Sequence, residues 1–170
     1  MTPAREIRQE RLIMLDKTLT ENDAQAISRF VAACEDGKRF YTHAAKEVTE
    51  RDLRALFLDQ ATLREEVENV LSPEYEKRMG KPLKHKHTLE GKLTEWYADL
   101  KVAFLDPAKS NYVLVEQLEE AEERTLVEMQ KAIHAVDDHP LKNKMNELLT
   151  KMIKSQQDIL QYKEAMRAAS

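Results

Sequence analysis

Four separate stretches of the chain carry apolar residues at steps of three and four, which is the spacing of one buried face on a long helix. The stretches span residues 27–48, 53–70, 115–136 and 141–166. Near the middle of each, small or polar residues interrupt the apolar series: Cys34 with Gly37, Gln60, Glu122 with Thr125, and Ser155. When antiparallel helices of similar length pack side by side, their midpoints meet. The pattern therefore predicts an all-α protein with one polar layer inside an apolar core.

Capping signals place the first two helices. Thr20, followed three residues later by Asp23, is typical of a helix N-cap and opens a helix that we expect to end near Val48. Thr49 repeats the signal and opens a second helix, which we expect to reach about Leu71. Because the link between them is only a few residues long, the two helices are predicted to be antiparallel neighbours.

Proline and glycine divide the rest of the chain. Pro73 favours a short separate turn of helix, which Gly80 should stop. An amphipathic connector helix is predicted at 88–105, and a third long helix at 111–136. Pro140 suits the first turn of a last long helix that runs nearly to residue 170.

Charge and composition argue against nucleic acid and membranes as partners and indicate where the protein is located. The 170 residues carry a formal net charge of −4, and the lysines and arginines are spread along the whole chain. Phosphate binding favours a clustered basic face, so we expect no nucleic-acid partner. No stretch has the apolar length that a bilayer requires, and the first residues lack the apolar run of a signal peptide. With one cysteine, Cys34, these features predict a cytoplasmic protein with no membrane partner.

A metal centre is one interpretation of the polar midpoints. Helical bundles that hold two metal ions use inward glutamates and Glu-x-x-His pairs, because residues three apart share a helix face. The sequence contains no Glu-x-x-His and no Asp-x-x-His. The candidate ligands that remain are Glu35, Asp59, Glu122 and Asp158, and only Glu122 lies squarely on an apolar stripe. Iron, manganese or another divalent cation could bind these four carboxylates together only if the helices were rotated so that the carboxylates, and not the apolar faces, point into the core.

A buried polar layer without a cofactor is the interpretation that we prefer. Its predicted members are Gln60, Glu122, Thr125, Ser155 and Gln156. A lone ionised glutamate in a core costs several kcal/mol, so Glu122 should be hydrogen-bonded by its neighbours or by trapped water. Such a layer also holds the helices in register.

Short motifs along about 130 residues suggest a family. They are Glu35-Asp36-Gly37 with Phe40-Tyr41, residues 53–57, residues 91–96, residues 99–101, residues 119–123 and Gln157-Asp158-Ile159. With these motifs the chain resembles a bacterial ferritin-like family of four-helix-bundle proteins of unknown function. The resemblance implies the fold, a homodimer or higher homo-oligomer and an association with stress responses, and it implies no established activity.

Two positions depart from that family's pattern. Gln157-Asp158 stands where the family usually has His-Asp, and Ala121-Glu122-Glu123 stands where it often has Gly-Glu-Asp. The first departure removes a metal ligand, so the resemblance does not strengthen the metal interpretation.

These observations predict an all-α, ferritin-like, up-and-down four-helix bundle at 20–170, with a crossover connector helix and a short accessory segment at 1–19. The expected function is that of a non-enzymatic cytoplasmic protein, related to stress, that self-associates or binds a protein partner. The alternative is a carboxylate metal-binding or oxidase-like protein.

Overall fold

A computed structural model describes residues 4–9, 18–84, 98, 102 and 111–169. The all-α prediction is confirmed, since these residues form helices and their links, with no strand among them. The long helices are α1 (Glu21–Glu47), α2 (Arg51–Met79), α3 (Asn111–His134) and α4 (His139–Ala169). Every described helix is too short or too polar to cross a membrane.

Two predicted segments are described only in part. Of the accessory segment 1–19, residues 4–9 are helical and exposed, and Leu19 is buried against the core. The connector helix predicted at 88–105 lies outside the described residues except at positions 98 and 102, which are helical.

The helix starts follow the predicted caps in one case and not in the other. The Oγ1 atom of Thr20 accepts a hydrogen bond from the backbone N–H of Asp23 at 3.1 Å, as predicted. The cap predicted at Thr49 is wrong: α2 begins after Glu50, whose side chain makes no capping bond. The Glu50 carboxylate instead accepts a hydrogen bond from the Tyr162 hydroxyl, which ties the α1–α2 link to α4.

The helix break predicted before Pro73 is also wrong, because α2 passes through this proline without ending. A proline inside a helix costs roughly 3 kcal/mol. Leu71 and Tyr75 on either side of it are both buried in the core, and their packing offsets the cost. The predicted stop at Gly80 is confirmed: its φ of 68° is left-handed, and its N–H donates to the Glu76 carbonyl at 2.9 Å.

The four long helices pack in a ring in which α1 contacts α2 and α3, and α4 contacts α2 and α3. The short links 48–50 and 135–138 make α1/α2 and α3/α4 antiparallel pairs. At one end of the ring, the N–H of Asp137 donates to Asp23 at 2.9 Å and Arg78 pairs with Asp138. Both α2 and α3 finish at this end, so they run parallel and face each other diagonally across the interior.

The apolar interior is divided into two clusters. One lies toward the 135–138 link and includes Phe30, Val67, Leu71, Met129 and Met145. The other lies toward the 48–50 link and includes Phe40, Phe57, Leu118 and Ile159. On α2, α3 and α4, the residues that interrupt the apolar stripes lie where the two clusters meet, and with Tyr41 of α1 they contribute to the candidate site.

Candidate functional site

A layer of hydrogen-bonded polar side chains, here called the polar layer, separates the two apolar clusters. All four long helices contribute to it: Tyr41 from α1, Gln60 and Arg64 from α2, Glu122 from α3 and Ser155 from α4. Arg64 and Glu122 are among the most deeply buried residues of the chain, with 1% and 2% of their surface exposed. The sequence predicts that the midpoints of all four helices meet in one layer. Gln60, Glu122 and Ser155 lie in it, whereas α1 contributes Tyr41 and not Cys34 or Gly37.

An ion pair between Arg64 and Glu122 crosses the diagonal of the ring. Nη2 of Arg64 donates to Oε2 of Glu122 at 2.5 Å, and the Tyr41 hydroxyl donates to Oε1 at 2.5 Å. The Arg64 guanidinium also lies 4.5 Å from the centre of the Tyr41 ring, which is a cation–π contact. Both carboxylate oxygens are thus bound by donors from two other helices.

Gln60 extends the network to the fourth helix. Its side-chain oxygen and its backbone carbonyl each accept from Nη1 of Arg64 at 3.0 Å. Its Nε2 donates to the backbone oxygen and the Oγ of Ser155, at 3.1 and 2.5 Å. The sequence predicts that Glu122 is hydrogen-bonded by Gln60, Gln156, Thr125 or trapped water. The structure connects Gln60 to Glu122 only through Arg64.

The remaining predicted members lie differently. The Thr125 hydroxyl is fully buried and donates to the Ala121 carbonyl of its own helix at 3.0 Å. Gln156 is only half-buried, beside Ser155 on α4.

The structure does not bring the four candidate metal ligands together. Asp59 and Asp158 are exposed, Glu35 is half-buried, and Glu122 lies inside the polar layer. The apolar stripes set the rotation of α2 and α4, so residues next to inward-facing Gln60 and Ile159 turn about 100° away. In the described part of the chain, no group of three or more histidine, cysteine or acidic side chains is arranged to hold a metal.

Sequence reasoning missed Arg64 and the hydroxyl of Tyr41. Tyr41 lies on the apolar stripe of residues 27–48 and reads there as an apolar residue, although a buried tyrosine hydroxyl normally requires a partner. Arg64 follows Gln60 by four residues and precedes Val67 by three, so it shares their helix face. A cation at such a position signals a buried anion nearby, but it does not identify which anion.

Cys34 borders the polar layer and provides a test of how tightly the core is closed. Burial raises the pKa of its thiol to about 12, against the opposing effect of the nearby Arg64 charge. We expect the native protein at pH 8 to resist a thiol reagent such as Ellman's reagent, since little thiolate forms and the sulfur is inaccessible. In denaturant, the single thiol should react completely. Reaction of the native protein at the rate of an exposed cysteine would contradict the described packing.

Comparison with known proteins places the chain in a family. The model of the family described as Domain of unknown function (DUF2383) matches residues 15–135, well over half of the chain. Neither the curated proteins nor the solved structures include a significant match. The matched region contains Tyr41, Gln60, Arg64 and Glu122, whereas Ser155 lies beyond it. The chain therefore belongs to the DUF2383 family.

Proposed function

We propose that this member of the DUF2383 family is a non-enzymatic, cytoplasmic, ferritin-like protein that acts by self-association or by binding a protein partner, in connection with stress. The observation that carries the proposal is the Arg64 guanidinium, which occupies the centre of the polar layer and neutralises Glu122. In four-helix bundles that bind two metal ions, the metal ions and their ligands occupy that central position.

Electrostatics supports this proposal over a metal-binding role. A divalent cation bound at Glu122 would have to approach the fixed positive charge of Arg64, whose Nη2 is 2.5 Å from the carboxylate. Two unit positive charges 4 Å apart repel by about 4 kcal/mol at an effective dielectric constant of 20, and a divalent ion doubles that value. The second oxygen of Glu122 is engaged by Tyr41. A metal would therefore have to displace both donors.

Connectivity supports the ferritin-like part of the proposal. The antiparallel pairs α1/α2 and α3/α4 are joined by a long segment, residues 80–110, between the parallel diagonal helices α2 and α3. One long crossover in an otherwise up-and-down arrangement is the connectivity of ferritin-like bundles. We accordingly propose 20–170 as the bundle domain and 1–19 as its accessory segment.

Elemental analysis tests the proposal directly. Protein purified without chelator should contain iron and manganese far below one ion per chain, and the Glu122→Ala variant should have the same background content. Titration of the apo-protein with Mn²⁺ or Fe²⁺ in a calorimeter should give no saturable heat. About one metal ion per chain, lost in Glu122→Ala but retained in the surface control Glu123→Ala, would overturn the proposal in favour of a metal-binding protein.

A further inference from the structure

Four large apolar residues of α3 and α4 are exposed, and three of them lie beyond Val113 toward the 135–138 link, on the outer side of the pair. Val127 is 44% exposed, and Ile153 and Leu160 are each 37% exposed. Ile153 and Leu160 are seven residues apart and share a face of α4. Lys151, which pairs with Glu66 of α2, marks the opposite flank of that helix. Ile153 is two residues further on and points about 160° away from Lys151. Ile153 therefore lies on the flank of α4 that faces α3.

Val127 lies on the matching flank of α3. It follows Glu116 by eleven residues, or three turns, and the Glu116 carboxylate is 3.7 Å from Nζ of Lys163 on α4. The contact between Lys163 and Glu119, at 2.8 Å, sets the register of the pair. Val127 lies eight residues after Glu119, or about 12 Å closer to the 135–138 link along α3. Ile153 lies ten residues before Lys163, or about 15 Å closer to the same link along α4. The two side chains are therefore at nearly the same height, and with Leu160 they form what we call the outer patch.

Charge is distributed unequally around the outer patch. On α3, Glu120 and Glu123 precede Val127, together with Arg124, which pairs with Glu120. Lys131 and His134 follow it, together with Glu128. Glu123 and Lys131 are each four residues from Val127, so each lies about 6 Å from it in opposite directions along the helix. Lys131 contacts Glu128 of its own helix and is still 68% exposed, so it is accessible to another carboxylate.

We propose that the outer patch binds a second copy of this chain in antiparallel orientation, with the two α3 helices crossing at Val127. A two-fold axis at Val127 places Glu123 of each copy beside Lys131 of the other, and so forms the same ion pair twice. Such an interface is isologous, with an apolar centre and a charged rim, as expected of a symmetric dimer. This inference rests on the proposed self-association and identifies the surface that would carry it.

A charge-swap series tests both the surface and the orientation. Glu123→Lys and Lys131→Glu each create two like-charge pairs across the axis, and the double variant restores two attractive pairs. By sedimentation equilibrium of the full chain, each single variant should dimerise roughly tenfold more weakly than the wild type. The double variant should return to within about threefold of the wild type, and an equimolar mixture of the two singles should form a heterodimer.

Substitution of the patch centre provides a second measurement. Val127→Lys should weaken dimerisation by roughly a hundredfold, because two charges would be buried at the centre of the interface. Leu58→Lys is the matched control, since Leu58 is 48% exposed but lies on α2. It should dimerise like the wild type. All these positions are exposed, so circular dichroism and the urea midpoint should show that each variant folds.

The outcomes separate the two proposals. A dimer with a Kd of about 1 µM would be almost fully formed at a chain concentration of about 100 µM. A wild-type chain that is monomeric at that concentration would overturn self-association together with this surface. A wild-type dimer that Val127→Lys leaves intact would overturn the surface alone. Dissociation by Val127→Lys without restoration in the double charge swap would overturn the antiparallel arrangement.

Discussion

Replacing Arg64 with methionine should lower the free energy of unfolding by about 3–5 kcal/mol. Methionine fills most of the volume of the arginine side chain but leaves the Glu122 carboxylate without its counter-charge in the core. The Gln60 side-chain oxygen also loses its donor. Removal of one partner from a buried ion pair is among the costliest single substitutions, because the remaining charge stays desolvated. Urea unfolding followed by circular dichroism measures the loss.

Two controls define what this loss means. Arg64→Lys retains the positive charge, so it should lower the free energy of unfolding less than Arg64→Met does. It should still be destabilising, because a lysine ammonium cannot reproduce the planar guanidinium that donates to Glu122 and Gln60 at the same time. Arg124→Met removes the exposed pair with Glu120, whose side chains are 63% and 61% exposed, and should change stability by less than about 1 kcal/mol. An Arg64→Met variant no less stable than Arg124→Met would show that the buried pair is absent.

Asp138→Ala should destabilise the protein by about 2–4 kcal/mol. This carboxylate accepts two hydrogen bonds from the buried Arg78 guanidinium, at 2.8 and 2.5 Å. The same carboxylate caps α4 by accepting from the backbone N–H of Leu141 at 2.9 Å. Alanine removes both interactions, and Glu74, 3.8 Å from Arg78, compensates only in part. Thermal and urea unfolding provide the measurement.

Asp138 should also contribute to the pH dependence of stability. Its hydrogen bonds from Arg78 hold the pKa of its carboxyl below the usual value of 3.8. Because the folded-state pKa is depressed, the stabilisation is complete above about pH 4 and is lost as the pH falls through the folded-state pKa. Asp138→Asn retains an oxygen that can cap α4 but cannot titrate. Its stability should therefore fall less steeply below pH 4 than that of the wild type, and equal slopes would contradict the assignment.

Helix positions were predictable because periodicity and capping act locally. The steps of three and four in the apolar series reflect one buried face, and Thr20 and Gly80 act through hydrogen bonds within a few residues. Local signals gave the wrong helix boundaries at Thr49 and Pro73, where contacts between residues far apart in sequence decide the structure. The burial of Leu71 and Tyr75 carries α2 through Pro73, and the hydrogen bond from Tyr162 to Glu50 joins α4 to the α1–α2 link, 112 residues away in sequence.

The same distinction applies to the polar layer. A break in each apolar stripe is visible in the sequence, so the height of the layer could be predicted from Gln60, Glu122 and Ser155. The partner of Glu122 could not, because α2 and α3 face each other only across the diagonal of the folded ring. Arg64 is 58 residues from Glu122 in sequence, and no local pattern pairs them.

Neutralisation of Glu122 by Arg64 is the central claim, and a double-mutant cycle tests it most directly. Glu122→Leu should cost about as much as Arg64→Met, since each strands the opposite charge. The double variant Arg64→Met with Glu122→Leu strands no charge and leaves only Tyr41 and Gln60 short of partners, at a cost of roughly 1–3 kcal/mol. It should therefore be more stable than either single variant, with a coupling energy of about 3 kcal/mol or more. A double variant that loses the sum of the two single effects would contradict the claim.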